Sequence, residues 1–265
     1  MGILNVTPDS FYDGGRYDQV DRALARAQTL VEEGAALIDV GGESTRPGSD
    51  PVALDVELKR VIPVIQTLSH RLPSVRLSVD TTKAEVARQA LEEGAFMVND
   101  VSALGDPWMP VVVRDHAAPV VLMHRLGHSR TMQDAPVYGD VVNDLLAFFD
   151  ERIAFAAARG IRRDRLWLDP GIGFGKTTRH NLEILRRLDA FKKFQLPLVV
   201  GVSRKSFIGR VLGSEAQPLP PELRGEGTLA AHLWAAAHGA DVLRVHDVSA
   251  TARAIRTWQA LASHE

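Results

Sequence analysis

The chain has 265 residues, of which 45% are hydrophobic and 24% charged, and this composition excludes a largely disordered or fibrous protein. Its 31 basic and 33 acidic residues give a net charge of −2, so we expect no nucleic-acid or membrane partner. The absence of cysteine excludes disulfides, thiolate metal sites and a cysteine nucleophile. No apolar run reaches the roughly 18 residues of a membrane span and no signal peptide is recognisable, so a cytoplasmic location is expected.

Short apolar runs alternate along the chain with amphipathic stretches. The runs are rich in Val, Ile and Leu and continuously apolar, which is typical of strands buried on both faces of a parallel sheet. Eight such strands are predicted, at residues 2–6, 36–40, 76–80, 96–100, 120–124, 166–169, 198–202 and 242–247.

Helices are predicted between these runs, and glycines mark where several of them end. The predicted helices cover residues 18–33, 82–93, 142–159, 178–193, 227–238 and 249–263. The second begins at Thr82, which has capping-box spacing to Glu85. A unit of helix, glycine, buried strand and polar tip recurs around Gly34, Gly94 and Gly239. The pattern predicts an α/β fold, a (β/α)8 TIM barrel forming one domain over residues 1–265.

Nearly every apolar run ends in a polar side chain. In a parallel barrel these tips gather at the C-terminal rim, where active sites form. An Asp or Asn at a strand end also often caps the next helix, so each tip alone is ambiguous. Polar groups inside the runs are costly to bury without a partner. The tips are Asn5, Asp39, Asp80, Asn99, Asp100, His124, Asp169, Ser203, Arg244, His246 and Asp247.

The chemistry of these tips indicates two kinds of ligand group. Asp80, Asn99 and Asp169 supply two carboxylates and an amide, which suit a flat heterocycle with an amino-amidine edge, such as a pterin or a purine. Cationic groups at or just after the tips indicate an anion, either phosphate or carboxylate. An asparagine at a strand end is also a hard oxygen ligand that suits Mg²⁺ beside a diphosphate. The cationic groups are Arg46, Arg204, Lys205, Arg244 and His246.

Other nucleotide and acyl-transfer motifs do not fit. The glycine-rich stretch at 171–177 has neither P-loop nor dinucleotide-binding spacing. No serine-nucleophile elbow is present either.

The ordered motifs resemble the dihydropteroate synthase family over essentially the whole chain. NVTPDSF at residues 5–11 with DGG at 13–15, and DVGGESTRPG at 39–48, match the first two signatures. SVDT at 78–81, VND at 98–100, LDPG at 168–171 with GFGK at 173–176, SRKS at 203–206 and RVHD at 244–247 follow in the family order.

The resemblance implies a (β/α)8 transferase of folate biosynthesis. Such an enzyme joins 6-hydroxymethyl-7,8-dihydropterin diphosphate to p-aminobenzoate and gives 7,8-dihydropteroate and pyrophosphate. Pyrophosphate leaves first, and the neutral aniline nitrogen then attacks the pterin methylene cation. The resemblance also implies Mg²⁺ as cofactor, a homodimer formed through the last helices, and competition by sulfonamides for the p-aminobenzoate position.

The resemblance assigns roles to individual residues. The catalytic residues it implies are Asp80, Lys205 and Arg244, and the Mg²⁺ ligand is Asn5. Asn99, Asp169, Met123 and Phe174 would contact the pterin, and His246 would join Arg244 at the diphosphate. The remaining residues, at the p-aminobenzoate position and in two closing loops, are Ser206, Phe11, Ser44, Thr45, Arg46 and Pro47.

Two alternative functions share part of this pattern. A pterin-dependent methyltransferase shares the Asp, Asn, Asp set, but the motifs at 203–205 and 44–47 and the absence of an adjoining corrinoid domain argue against it. A non-catalytic pterin-binding barrel would have no use for a p-aminobenzoate half-site. One departure from the family is that its members carry a short segment ahead of the first strand. Here we expect either a truncated start or a barrel closed in another way.

Overall fold

The structure, a computed structural model, describes residues 1–7, 16–44, 49–127 and 136–262, with only the backbone described at 16–18. Within these residues the strands are β1 (Gly2–Asn5), β2 (Leu37–Gly41), β3 (Arg76–Asp80), β4 (Met97–Asp100), β5 (Val120–Met123), β6 (Leu166–Asp169), β7 (Val199–Val200) and β8 (Val242–Leu243). The α-helices are α1 (Arg16–Glu32), α2 (Leu54–Arg71), α3 (Ala84–Glu92), α4 (Met109–Asp115), α5 (Val141–Ala158), α6 (Thr178–Arg186), α7 (Ser206–Leu212), α8 (Gly225–Ala237) and α9 (Val248–Ala262).

The strands close into a parallel barrel. Strands β1 to β6 pair in chain order, and β7 pairs with β8. A parallel bridge between Leu168 and Leu198 joins β6 to the β7 side. A second parallel bridge, between Gly2 and Val245, joins β1 to the segment after β8. The predicted (β/α)8 barrel is confirmed.

Alternating strand positions divide the apolar residues into two layers. Outward residues such as Val40, Val79 and Leu122 belong to a large cluster packed under the helices. The inward residues Leu37, Met97, Val121 and Val199 form a smaller cluster that fills the lower barrel interior. Apolar side chains therefore fill the bottom, and the polar strand residues are left at the top.

The predicted helices did not include α2, α4 or α7, and several predicted boundaries differ from the structure. The helix at 178–193 divides into α6 and a 3₁₀ segment, Leu188–Phe194, with the break at Arg187, whose side chain binds Asp140 at 2.9 Å. The capping box at Thr82 does not form, because the carboxylate of Asp106 instead accepts the N–H of Ala84 at 3.0 Å, where α3 begins.

The last strand is shorter than the predicted 242–247, because only Val242–Leu243 pairs regularly with β7. The chain continues beside β1, where Ile3 donates its N–H to the carbonyl of Val245 at 3.0 Å. No helix within the described ranges is long and apolar enough to cross a membrane.

Candidate active site

A row of residues at one level marks the upper end of the barrel. The strand register places Asn5 beside Gly41, Gly41 beside Asp80, and Asp80 beside Asn99. Because side chains alternate along each strand, these residues share the inward face. The four strand ends from β1 to β4 therefore direct three polar side chains toward the same opening.

Arg244 lies between two buried aspartates of this opening. Its Nε donates to Oδ2 of Asp39 at 2.6 Å, and its Nη2 donates to Oδ2 of Asp80 at 2.7 Å. Asn99 donates from Nδ2 to the same oxygen of Asp39 at 2.9 Å. Asp39 is 0% exposed and Asp80 is 5% exposed. The four side chains form one hydrogen-bonded cluster, which we call the acid cluster.

Each aspartate of the acid cluster has one oxygen left for a ligand. Oδ1 of Asp39 and Oδ1 of Asp80 are buried and have no hydrogen-bond partner among the described residues. Burial raises the pKa of Asp80 to about 7, although the Arg244 guanidinium opposes the rise. Burial alone would lower the pKa of Arg244, but the carboxylates of Asp39 and Asp80 outweigh it and raise that pKa. Buried acceptors of this kind suit a ligand that supplies N–H donors.

Asp169 and Lys205 form the other side of the opening. Oδ1 of Asp169 accepts the N–H of Gly171 at 2.7 Å. Nζ of Lys205 donates to the carbonyl of Ile172 and lies 4.6 Å from the ring centroid of Phe174. Burial raises the pKa of Asp169 against the pull of Lys205, and burial lowers the pKa of Lys205 to about 8. An acid, a cation and an aromatic ring thus lie together on this side.

The turn after β6 is held tightly against the end of β5. A Cβ at Gly171 would lie 1.8 Å from the carbonyl oxygen of His124, and the φ of Gly171 is +65°. Only glycine tolerates both conditions. Met123, which is in register with Asp169 and 3% exposed, adds an apolar surface at the same level. The predicted pterin contacts Asp169, Met123 and Phe174 are therefore brought to one side of the barrel mouth.

His246 and Asn5 come from neighbouring chain segments, because β1 runs beside the segment after β8. Nδ1 of His246 lies 2.9 Å from Oγ of Ser203, and the backbone N–H of His246 donates to the same oxygen at 3.2 Å. Ser203 thus fixes the orientation of the imidazole. Ser206 is the first residue of α7 and is exposed, directly after Lys205.

The residues at this opening fit a single-ligand Mg²⁺ site. Within the residues that the structure describes, no cluster of three or more His, Cys, Asp or Glu side chains forms a metal cage. Mg²⁺ often takes one or two protein oxygens and completes its shell with water and substrate phosphates. The Asn5 amide at the end of β1 could supply one such oxygen.

Two of the polar tips face away from the opening. Oδ1 of Asp100 accepts the N–H of Ser102 at 2.8 Å, and Oδ2 accepts the N–H of Leu104 at 2.7 Å, so this carboxylate shapes a turn. Nδ1 of His124 lies 2.9 Å from Nζ of the buried Lys176. Burial lowers the pKa of His124 to about 3 and lowers that of Lys176 well below its usual value. This pair fastens the end of β5 to the turn after β6.

Several predicted residues lie outside the described part of the chain. Phe11, Thr45, Arg46 and Pro47 belong to this group, so their roles stay predictions. Ser44 is described, and its carbonyl accepts the hydroxyl of Ser49 at 2.5 Å.

The sequence reasoning gave no role to Asp39. The structure places it at the centre of the acid cluster, bonded to both Arg244 and Asn99. A signal was present, because Asp39 interrupts an apolar run just as Asn99 does. The cost of burying a polar group without a partner applies to Asp39 as it does to Asn99.

Comparison with known proteins agrees with this geometry. A family model described as pterin-binding enzyme matches residues 1–246. A dihydropteroate synthase of Synechocystis sp. is 48% identical over 262 residues, which cover 98% of this chain and 89% of that protein.

Solved structures give the same result. The structure of a Xanthomonas albilineans dihydropteroate synthase with 4-aminobenzoic acid is 49% identical, with a TM-score of 0.92 and coverage of 100% of this chain and 93% of the other. A Yersinia pestis dihydropteroate synthase in complex with a sulfonamide drug is 44% identical, with a TM-score of 0.92 and coverage of 100% and 94%.

The chain belongs to the pterin-binding enzyme family. The relatives that it matches over nearly its whole length are dihydropteroate synthases, which confirms the resemblance inferred from the ordered motifs.

Proposed function

We propose that this barrel catalyses dihydropteroate synthesis at the opening formed by the acid cluster, Asp169 and Lys205. The observation that carries this proposal is the pair of buried carboxylate oxygens, on Asp39 and Asp80, that have no hydrogen-bond partner among the described residues. They match the N–H donors on the amino-amidine edge of a pterin. Asn99 and Asp169 extend the same polar lining, while Met123 and Phe174 provide surfaces for the faces of a flat ring.

The diphosphate group of the substrate belongs on the β1 and β8 side of the opening. Arg244 and His246 would supply hydrogen-bond donors to the diphosphate there, and Asn5 would hold Mg²⁺. When bound, Mg²⁺ would help to neutralise the charge on the leaving diphosphate. Arg244 also holds Asp39 and Asp80, so it joins the pterin side to the anion side.

The reaction begins when the bond between the pterin methylene carbon and the diphosphate oxygen breaks, and the oxygen keeps the electron pair. Arg244 and His246 stabilise the charge on the departing group. Ionised Asp80 stabilises the positive charge that develops on the pterin. The neutral amine of p-aminobenzoate then forms the new C–N bond and releases one proton. No strong general base is required, because the amine attacks as the neutral species.

The second substrate is assigned to the side near Lys205 and Ser206. The X. albilineans relative was solved with 4-aminobenzoic acid and the Y. pestis relative with a sulfonamide drug, and these complexes support p-aminobenzoate as the second substrate. The relatives that match nearly the whole chain are dihydropteroate synthases, and this argues against the methyltransferase and the non-catalytic barrel.

A homodimer and a cytoplasmic location complete the proposal. Exposed apolar side chains on the later helices support self-association: Val211 is 56% exposed, Leu212 45% and Leu261 79%. The lack of cysteine supports a reducing compartment. Light scattering coupled to gel filtration should give twice the chain mass, and a monomer at micromolar concentration would contradict the dimer.

The function is tested by mixing the pterin diphosphate, p-aminobenzoate, Mg²⁺ and the folded protein. Mass spectrometry should detect 7,8-dihydropteroate, and pyrophosphate should appear in equal amount. A sulfonamide should raise the KM for p-aminobenzoate without changing kcat. Pterin binding without product would favour the non-catalytic barrel and overturn the proposal.

A further inference from the structure

Glu57 is a buried acid outside the acid cluster. It lies in the first turn of α2 and is 0% exposed. Its Oε1 accepts the hydroxyl of Thr81 at 2.6 Å, and its Oε2 accepts Nζ of Lys83 at 2.5 Å. Thr81 directly follows Asp80, which ends β3. Glu57 therefore ties α2 to the segment that carries Asp80 into the opening.

Lys83 extends this tie to a third part of the barrel. Its Nζ also donates to Oε2 of Glu43, which lies in the segment after β2. The side chain of Lys83 is 24% exposed and that of Glu43 is 20% exposed. Burial alone would lower the pKa of Lys83, but the hydrogen bonds to Glu43 and Glu57 outweigh it and raise that pKa. The lysine stays a cation held between two carboxylates.

The residue before Glu43 is also held against α2. Arg60 donates from Nη1 to the carbonyl of Gly42 at 2.9 Å. A Cβ at Gly42 would lie 2.6 Å from a methyl carbon of Val61, so the backbone approaches the helix closely. The path from Gly42 to Ser44 is therefore set by α2 on one side and by Lys83 on the other.

We propose that Lys83, held in place by Glu57, acts through Glu43 as a positioning residue for p-aminobenzoate. The inference rests on the proposed function and on the role that the family resemblance implies for Ser44, which directly follows Glu43, on the p-aminobenzoate side. Loss of the Lys83 side chain should release the segment at Gly42–Ser44 and leave Asp80 bonded to Arg244. A purely structural role would instead weaken both substrates to the same degree.

The test is a pair of variants of Lys83 in steady-state assays that vary one substrate at a time. Lys83→Met should raise the KM for p-aminobenzoate about tenfold, as expected for the loss of one charge-assisted hydrogen bond. The KM for the pterin diphosphate should change less than about threefold. Lys83→Arg keeps the charge, so its KM for p-aminobenzoate should return most of the way to the wild-type value.

Lys59→Met is the matched control. Like Lys83→Met, it removes one positive charge. Lys59 lies in α2 and pairs with Asp55, and both side chains are 67% exposed. Exposed pairs of this kind contribute little, so both KM values should stay at the wild-type level. Equal increases in both KM values for Lys83→Met, or no increase, would overturn the proposal.

Hydrogen exchange at the amides of residues 42–44 provides a readout that does not need turnover. Glu43→Met has a similar side-chain length but removes the acceptor of the Lys83 hydrogen bond, and it keeps the contact between Lys83 and Glu57, so it covers the case in which Lys83→Met fails to fold. Exchange in this segment should become faster in Glu43→Met and stay unchanged in β3. Unchanged exchange at residues 42–44 would show that the contact between Lys83 and Glu43 does not hold this segment. Absence of product from the wild-type protein would contradict only the proposed function.

Discussion

Replacing Arg244 with methionine removes the charge that compensates two buried carboxylates. Methionine has a similar length and can fill much of the space, so the main change is electrostatic. Asp39 is 0% exposed and Asp80 5%, and each bonds the guanidinium within 2.7 Å. Breaking a buried ion pair of this kind costs about 3–5 kcal/mol. We therefore expect Arg244→Met to lower the free energy of unfolding by that amount near pH 7.

The loss of stability caused by Arg244→Met should increase as the pH rises above 7. The pKa of Asp80 is about 7, raised by burial and lowered by Arg244. Without Arg244 this pKa rises further, so the folded variant keeps its proton above pH 7 while wild-type Asp80 ionises. The folded variant then binds more protons than the folded wild type, and the stability difference widens by about 1.4 kcal/mol for each pH unit above 7.

Urea unfolding of both proteins at pH 6 and pH 8 measures this effect. The difference in the free energy of unfolding should be larger at pH 8, by about 1.4 kcal/mol. Lys59→Met, which breaks an exposed ion pair with Asp55, should have the same free energy of unfolding as the wild type at both pH values. Suppose that the difference in unfolding free energy between Arg244→Met and the wild type is the same at pH 6 and pH 8, or is below about 1 kcal/mol at both. Arg244 would then not compensate the buried carboxylates of Asp39 and Asp80.

Two further predictions concern turnover. Asp80 acts ionised and Lys205 acts as a cation. The value of kcat/KM should therefore decrease at pH values below the pKa of Asp80, about 7, and at pH values above the pKa of Lys205, about 8. A flat profile from pH 6 to pH 9 would contradict this. Asp80→Asn should lose the acid limb of that profile. Ser203→Ala should raise the KM for the pterin diphosphate severalfold, because His246 loses its orienting hydroxyl, and should leave the affinity for a pterin without diphosphate unchanged in calorimetry. Equal losses for both ligands would exclude this role of Ser203.

The barrel and much of its site were predictable because both depend on local patterns. Continuous apolar runs identify buried parallel strands, and their polar ends must meet at one rim. The prediction that Asp80, Asn99 and Asp169 lie at one rim of the barrel agrees with the structure. The order of the motifs then identified the family.

The remaining features depend on contacts between distant parts of the chain. Asp39 and Arg244 are separated by 205 positions and bond at 2.6 Å, and spacing in the sequence gives no indication of this pairing. Glu57 lies in an amphipathic helix, where a glutamate is typical of the solvent face, yet it is buried beneath Thr81 and Lys83. His124 and Asp100 end strands as site residues do, but their places in the alternation turn them outward.

If dihydropteroate forms at the acid cluster, its synthesis must depend on the carboxylate of Asp80. Wild-type protein and Asp80→Asn are compared for dihydropteroate formation from the pterin diphosphate and p-aminobenzoate with Mg²⁺ at pH 7.5. We predict product from the wild type and a kcat/KM lower by about 100-fold or more in the variant, because a buried ionised group facing developing charge is lost. No product from folded wild-type protein, or equal kcat/KM in the two proteins, would contradict the account.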